Sequence, residues 1–269
     1  ISPLMHNESF RLLGLDYVYL CFDVNEETLP AAVAGLKTCG IRGFNLTMPN
    51  KNKIVELLDE LSPEAQLIGA VNTVLNDNGK LIGYNTDGYG FMQSVRDAGH
   101  DITGKNITIM GIGGASMAIC AQSALDGAAS VHIFARRTSR YWNRTQKFAE
   151  NLSAKTGCQV CLFDNDDHTA LRDSIAQSYL LINATSVGMV PDIDDTIIKD
   201  TSLFHPELVV ADVVYEPQET RLLREAKAAG CQTFNGMYML LHQGAKAFQI
   251  WTGQEMPVSV IKEKYFSVK

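Results

Sequence analysis

Three features are scarce in this sequence of 269 residues. Long apolar runs are missing. No stretch approaches the roughly 20 residues that a membrane-crossing helix needs, and the opening residues do not read as a secretory leader. A cytoplasmic location with no membrane partner is therefore expected. Basic residues are outnumbered, 23 Lys and Arg against 30 Asp and Glu, for a formal net charge of -7. That balance excludes a general nucleic-acid-binding surface, although not a local basic pocket. Cysteine pairs with metal-ligand spacing are also scarce. Of Cys21, Cys39, Cys120, Cys158, Cys161 and Cys231, only Cys158 and Cys161 form a CxxC, with no second pair nearby. A zinc site needs about four ligands, so no metal is expected, and the cysteines read as thiols of a reduced protein. A chain of this size buries about three-quarters of its unfolded surface, so it needs no disulfide for stability.

What is present is a regular alternation of helical and strand-like segments. It predicts an α/β protein of two domains, with mainly parallel sheets. Helices are expected over Pro3 to Leu13, Thr28 to Cys39, Lys53 to Leu61 and Gly88 to Ala98. Strands are expected over Tyr17 to Val24, Gly43 to Thr47, Ala70 to Asn76 and Lys80 to Tyr84, the last two around an Asp77-Asn78-Gly79 turn. A second unit follows, with strands at Ile107 to Met110, Ser130 to Phe134, Val160 to Phe163, Tyr179 to Asn183 and Val209 to Val213. An apolar helix near Met237 to Trp251 and another after Pro257 end the chain. The expected division is an N-terminal α/β domain, residues 1–100 completed by 237–269, and a second α/β domain, residues 101–236.

The strand ending at Met110 runs directly into Gly111-Ile112-Gly113-Gly114-Ala115-Ser116 and then a small-residue helix. Strand, glycine turn and helix in that order form the context in which a dinucleotide fingerprint has physical meaning. Glycine permits the tight turn and lets a pyrophosphate approach the backbone. The helix start offers unpaired N–H groups and a positive dipole end. Gly111, Gly113, Gly114, Ala115 and Ser116 are thus candidate cofactor residues, although Ser116 stands where a third glycine is usual. Such a turn can also be simple strand-to-helix packing. The next strand ends in Ala135-Arg136-Arg137-Thr138-Ser139-Arg140, where an NAD site usually carries Asp or Glu for the ribose 2′-hydroxyl. With no carboxylate there, Arg136 and Arg137 are placed to pair with a 2′-phosphate. NADP is the expected cofactor, with NAD possible, and a solvated basic loop is the alternative.

Two segments of the first unit carry unusual chemistry. Asn45-Leu46-Thr47-Met48-Pro49-Asn50-Lys51 groups a hydroxyl, amides and an amine at a strand end. Gly83-Tyr84-Asn85-Thr86-Asp87-Gly88 is a strand end entering a helix, and Gly69-Ala70-Val71-Asn72-Thr73 lies between them. Ligands of open α/β sheets bind beyond strand C-termini, so the three segments can converge. Taken singly, a loop Lys is ordinarily a solvated charge and an Asp near Gly a helix cap.

These segments, in this order, resemble the shikimate/quinate dehydrogenase family over essentially the whole chain. Ser2-Pro3 with His6-Asn7 resembles the family's substrate-carboxylate segment. NLTMPNK resembles its catalytic-lysine segment, GAVNT its asparagine segment, YNTDG its aspartate segment and GIGGAS its cofactor turn. Asn183 to Met189 resembles the nicotinamide-side loop. Gly236 with Met239-Leu240 and Gln243 resembles the helix that closes the substrate site. NLTMPNK and the Trp251-Thr252-Gly253 ending look closest to the branch that oxidises either shikimate or quinate.

The resemblance implies an enzyme that interconverts 3-dehydroshikimate and shikimate, in aromatic amino acid biosynthesis, with a nicotinamide cofactor; residues 1–100 with 237–269 would be its α/β substrate domain, with a mainly parallel sheet, and residues 101–236 its Rossmann-type dinucleotide-binding domain. It implies that Lys51 acts as acid in reduction and base in oxidation, with Asp87 holding its ammonium and bonding a substrate hydroxyl. Asn72, Thr47 and Gln243 would bond ring hydroxyls, and Ser2 and Tyr215 the carboxylate. Thr185, Val213, Gly236 and Met239 would line the cofactor. A second copy of the chain is a possible partner. These residue types suit the chemistry: an ammonium stabilises negative charge growing on a carbonyl oxygen and then supplies the proton. The chain departs from the family at its start, where a further strand and a serine two residues before Ser2 are expected, and the sequence reads as a shortened one. A quinate/shikimate dehydrogenase using NAD is the alternative enzyme, and a catalytically silent cofactor sensor the alternative from another class.

Overall fold

A computed structural model describes residues 1–266; the last three residues of the expected C-terminal stretch lie outside the described residues. By packing, the chain divides into two compact units. One is Ile1–Gly90 with the residues from Leu240 onward, and the other is Phe91–Met239.

The first unit opens with α1 (Ser2–Leu13), which has a proline in its first turn and closes on Gly14 in the left-handed region at φ 65. Both features are standard helix-end chemistry. Next come α2 (Leu29–Thr38), β1 (Gly43–Asn45), the one-turn α3 (Asn50–Lys53), β2 (Glu60–Leu61), α4 (Pro63–Ile68), β3 (Thr73–Asp77), β4 (Lys80–Tyr84) and α5 (Asp87–Asp97). Strands β3 and β4 form a hairpin with Asp77 opposite Lys80. Its two turn residues, Asn78 and Gly79, both have positive φ, 52 and 92, the geometry that an Asn-Gly turn favours. The four strands are ordered β1-β3-β4-β2. Leu29, Val33, Ile54, Ala65, Val71, Val74 and Leu81 form a core cluster of this unit.

Three expectations fail here. The first sheet is not mainly parallel, because the hairpin and the β1–β3 pairing are antiparallel and only β2–β4 is parallel. The segment from Tyr17 to Val24 is extended but is not a strand. A strand needs a ladder partner, and side-chain amides hold this segment instead. Asn7 both donates to the Tyr19 carbonyl (2.9 Å) and accepts the Tyr19 N–H (2.8 Å), and Asn50 donates to the Val24 carbonyl (2.6 Å). Val18, Leu20 and Phe22 consequently stay exposed. Lys53 to Leu61 is not one helix either: α3 gives way to a 3-10 turn over Ile54–Leu57 and then to β2.

The second unit alternates strand and helix, except between β8 and β9, which only a 3-10 turn over Thr201–Leu203 separates. It contains β5 (Asn106–Met110), α6 (Gly114–Leu125), β6 (Ser130–Ala135), α7 (Trp142–Thr156), β7 (Gln159–Asp164), α8 (His168–Gln177), β8 (Leu180–Asn183), β9 (Val209–Asp212), α9 (Arg221–Ala228) and β10 (Gln232–Phe234). Its six strands are all parallel, in the order β10-β9-β8-β5-β6-β7. Every residue of β8 and β9 is buried, as expected where helices cover both faces. Met110, Phe134, Ile175, Leu181, Val210 and Leu222 belong to one core cluster, each fully buried side chain contributing about 1.5–3 kcal/mol. The strand order reverses at β5, and ligands of such sheets bind beyond the strand C-termini at that reversal. The chain returns through α10 (Met237–Thr252) and ends in α11 (Val258–Tyr265). Among the described residues, no helix is long and apolar enough to cross a membrane.

Candidate active site

In the first unit, Lys51 lies in α3 just after Met48-Pro49, and its carbonyl accepts the Val71 N–H (2.8 Å), which joins this turn to the segment bearing Asn72. Asp87 begins α5, where its N–H is bonded by the Asn85 side chain (3.2 Å). Lys51 Nζ donates to Asp87 Oδ2 at 2.6 Å, with side chains 21% and 11% exposed, so the pair is shielded yet reachable. Asn72, just before β3, is buried. Its Oδ1 accepts the Thr86 backbone N–H (2.9 Å) and the Thr73 hydroxyl (3.0 Å). A backbone N–H can only donate, so the amide orientation is fixed and Nδ2 must face the opposite way. There it donates to Asp87 Oδ1 at 2.8 Å and approaches Gln243 Oε1 at 3.5 Å. Gln243, on α10, spends its own Nε2 on the Leu240 carbonyl (2.9 Å).

Lys51, Asp87, Asn72 and Gln243 thus form one connected cluster. Ser2, half-buried at the start of α1, and Thr47, exposed before Met48, lie outside its hydrogen bonds. His6 is buried with both ring nitrogens unbonded. It stacks on Tyr19 at 4.6 Å, and burial holds its pKa down at about 3. The Thr73 hydroxyl also accepts from Asn45 Nδ2 (3.0 Å), and Asn45 Oδ1 accepts from the Tyr19 hydroxyl (3.0 Å), so a polar chain backs the cluster. Sequence reasoning passed over Thr73 and Thr86; their place on either side of the asparagine and aspartate segments was the available signal.

In the second unit, Gly111 has φ 111, and a Cβ there would press on Thr185 and the Ala184 carbonyl. Only glycine fits that turn without strain. Gly113 and Gly114 are exposed and have nothing within 4 Å of where a Cβ would stand, so open space lies before the start of α6. Ser116 is fully buried and its hydroxyl donates to the Gly111 carbonyl at 2.5 Å, tying the turn shut. At the end of β6, Arg136 and Arg137 are exposed, and the Arg137 guanidinium lies over Trp142 at 4.7 Å. The half-buried Thr185 follows β8, and its hydroxyl donates to Asn183 Oδ1 (2.7 Å). Half-buried Val213 and exposed Tyr215 follow β9, Gly236 packs directly against the Val213 backbone, and Met239 lies in the first turn of α10. Open glycines at a helix start, a positive turn end and a parallel sheet reversing at β5 fit a dinucleotide. Among the described residues, no group of three or more His, Cys, Asp or Glu side chains is arranged to hold a metal ion.

The fold and these residues define a two-unit α/β protein of the dinucleotide-binding class, with a lysine–aspartate pair on the unit outside the cofactor sheet. Two family models match the chain: the shikimate dehydrogenase substrate binding domain over residues 1–74 and the shikimate 5'-dehydrogenase C-terminal domain over residues 236–264. A shikimate dehydrogenase (NADP(+)) of Listeria innocua is 52% identical over 266 residues, 99% of this chain and 91% of that protein. The crystal structure of shikimate 5-dehydrogenase from Listeria monocytogenes, in complex with shikimate and NAD, aligns with a TM-score of 0.94 at 52% identity, covering 97% of this chain and 90% of that one. A quinate dehydrogenase from Corynebacterium glutamicum in complex with NAD aligns at 0.87 with 31% identity, covering 99% and 94%. The chain belongs to the shikimate dehydrogenase family.

Proposed function

We propose that this chain is a shikimate dehydrogenase that reversibly reduces 3-dehydroshikimate to shikimate with NADP. The observation that carries the reading is the Lys51–Asp87 pair at 2.6 Å, with the Asn72 amide locked onto the other carboxylate oxygen. When bound, the nicotinamide supplies and takes back the hydride. Lys51 Nζ donates a proton to the ring oxygen during reduction and accepts it during oxidation. Its charge stabilises the oxyanion before the proton moves. Asp87 keeps the ammonium in one place and accepts a bond from a neighbouring ring hydroxyl. Asn72, Thr47 and Gln243 meet the remaining hydroxyls, and Ser2 and Tyr215 take the carboxylate.

Gly113, Gly114 and Ala115 present backbone N–H groups to the pyrophosphate, while Gly111, whose N–H bonds the Phe134 carbonyl (2.7 Å), and Ser116, whose hydroxyl bonds the Gly111 carbonyl, shape the turn that presents them. Arg136 and Arg137 face the 2′-phosphate, and Thr185, Val213, Gly236 and Met239 border the nicotinamide end. The test is initial rates of cofactor reduction with shikimate and with quinate, each with NADP and NAD. Shikimate with NADP should give the highest kcat/KM. A higher value for quinate or for NAD would replace the corresponding half of the proposal, and no turnover with any pair would leave a cofactor sensor.

A further inference from the structure

Asp212, the last residue of β9, is fully buried, and no cation among the described residues pairs with it. Removing a carboxylate from water without a counter-ion is unfavourable, and burial raises its pKa to about 6. An apolar residue would suit the interior of this sheet better, so the carboxylate requires a reason. Its hydrogen bonds supply one. Oδ1 accepts the Val214 N–H (2.9 Å) and Asn183 Nδ2 (3.0 Å), and Oδ2 accepts the Thr220 hydroxyl (2.8 Å).

One bond ends on Asn183, the last residue of β8, and the other two on the segment between β9 and α9, at Val214 and at Thr220. Because a carboxylate only accepts, Asn183 must turn its NH2 toward it. Asn183 Nδ2 then also reaches the Val187 carbonyl (3.2 Å), and Oδ1 takes both the N–H (3.1 Å) and the hydroxyl (2.7 Å) of Thr185. The Thr185 oxygen in turn accepts the Val187 N–H (3.1 Å). On the other side Thr220 caps α9 by accepting the Leu223 N–H (3.4 Å). One buried group therefore sets the conformation of the loop after β8 and of the loop after β9, which carry Thr185 and Val213.

We infer that Asp212 is a positioning residue for the nicotinamide end of the cofactor, acting through Asn183, Thr185 and Val214 without touching the cofactor itself. This rests on the reading above that Thr185 and Val213 border that end. Asp212→Asn keeps the shape. Its amide oxygen can still serve Val214 and Asn183, and its NH2 faces Thr220, which loses its acceptor.

The test measures amide hydrogen exchange of the full chain with NADP and with 2′-phospho-ADP-ribose, which lacks the nicotinamide. In the wild type, NADP should protect the 184–189 and 213–220 loops and the Gly111–Ser116 turn, whereas the fragment should protect only the turn. In Asp212→Asn, protection of the two loops by NADP should be lost while the turn stays protected. Its kcat should fall about tenfold, as loss of a charged hydrogen bond predicts, with fragment affinity unchanged. Thr220→Val should shift the same readouts in the same direction, and Thr220→Ser should restore them. If the wild-type loops are not protected by NADP, the assignment of the nicotinamide end fails and the inference with it. If they are protected in the wild type and equally in Asp212→Asn, or if turn and fragment affinity are lost alongside the loops, the positioning role alone is overturned.

Discussion

Lys51 Nζ and Asp87 Oδ2 are 2.6 Å apart, and the other oxygen of Asp87 accepts the Asn72 side-chain amide at 2.8 Å. The ammonium is thereby aimed before any substrate arrives. Lys51→Ala should lower kcat by about a hundredfold or more while cofactor affinity stays near the wild-type value. Stopped-flow turnover together with a fluorescence titration of the reduced cofactor checks both. A near-normal kcat removes Lys51 from the proton-transfer role.

Asp87→Asn retains the shape of the carboxylate and loses its charge, so Lys51 is no longer held and kcat should again fall. Groups acting as one unit give non-additive losses. The Lys51→Ala/Asp87→Asn double mutant should therefore be scarcely slower than the slower single mutant. Losses that simply add would mean that the two residues act independently.

How much of this was legible beforehand follows from how local each signal is. The GIGGAS turn, the Asn78-Gly79 hairpin and the Arg136-Arg137 strand end are contiguous, and contiguous chemistry is readable. Tyr17 to Val24 has strand composition, but a strand is defined by its neighbour, and the amides of Asn7 and Asn50 that hold it instead come from distant positions. Asp212 was missed because its partners Asn183 and Thr220 meet it only in the fold. The clue was a charged residue closing the apolar run Val209-Val210-Ala211. The locked orientation of Asn72 needed the Thr86 backbone, which no side-chain pattern reveals.

Arg136 and Arg137 should make NADP the preferred cofactor by roughly ten- to a hundredfold in kcat/KM, the worth of one charge-assisted contact. Arg137 is already engaged with Trp142. Arg136→Ala should consequently raise KM for NADP more than Arg137→Ala does, and neither should much affect NAD. The preference should narrow as salt is added, because these side chains are exposed. Equal KM changes for NADP and NAD would mean that neither arginine meets the 2′-phosphate.

His6 is buried among Tyr19, Phe248 and Trp251 with a pKa of about 3. Its unfolded value is near 6.5, so the unfolded chain takes up a proton that the folded one refuses. The stability this residue contributes is complete above about pH 6.5 and is lost as pH falls toward 3, by about 1.4 kcal/mol per unit. Between pH 7 and 5 the wild type should therefore lose about 2 kcal/mol relative to His6→Phe. Denaturant melts at the two pH values measure it, and parallel losses in both proteins would show that His6 titrates normally.

The sequence holds two tryptophans, and each packed unit contains one. Trp142 lies under Arg137, beside the adenosine end of the cofactor in the proposed reading, and Trp251 donates its indole N–H to the Val74 carbonyl (2.9 Å) in the other unit. The molecule thus carries its own pair of optical reporters. In Trp251→Phe the emission comes from Trp142 alone, and it should respond to 2′-phospho-ADP-ribose. In Trp142→Phe the remaining emission should ignore that ligand and follow the melting of the unit around the lysine–aspartate pair. Events in the two halves can be timed separately without attaching a dye.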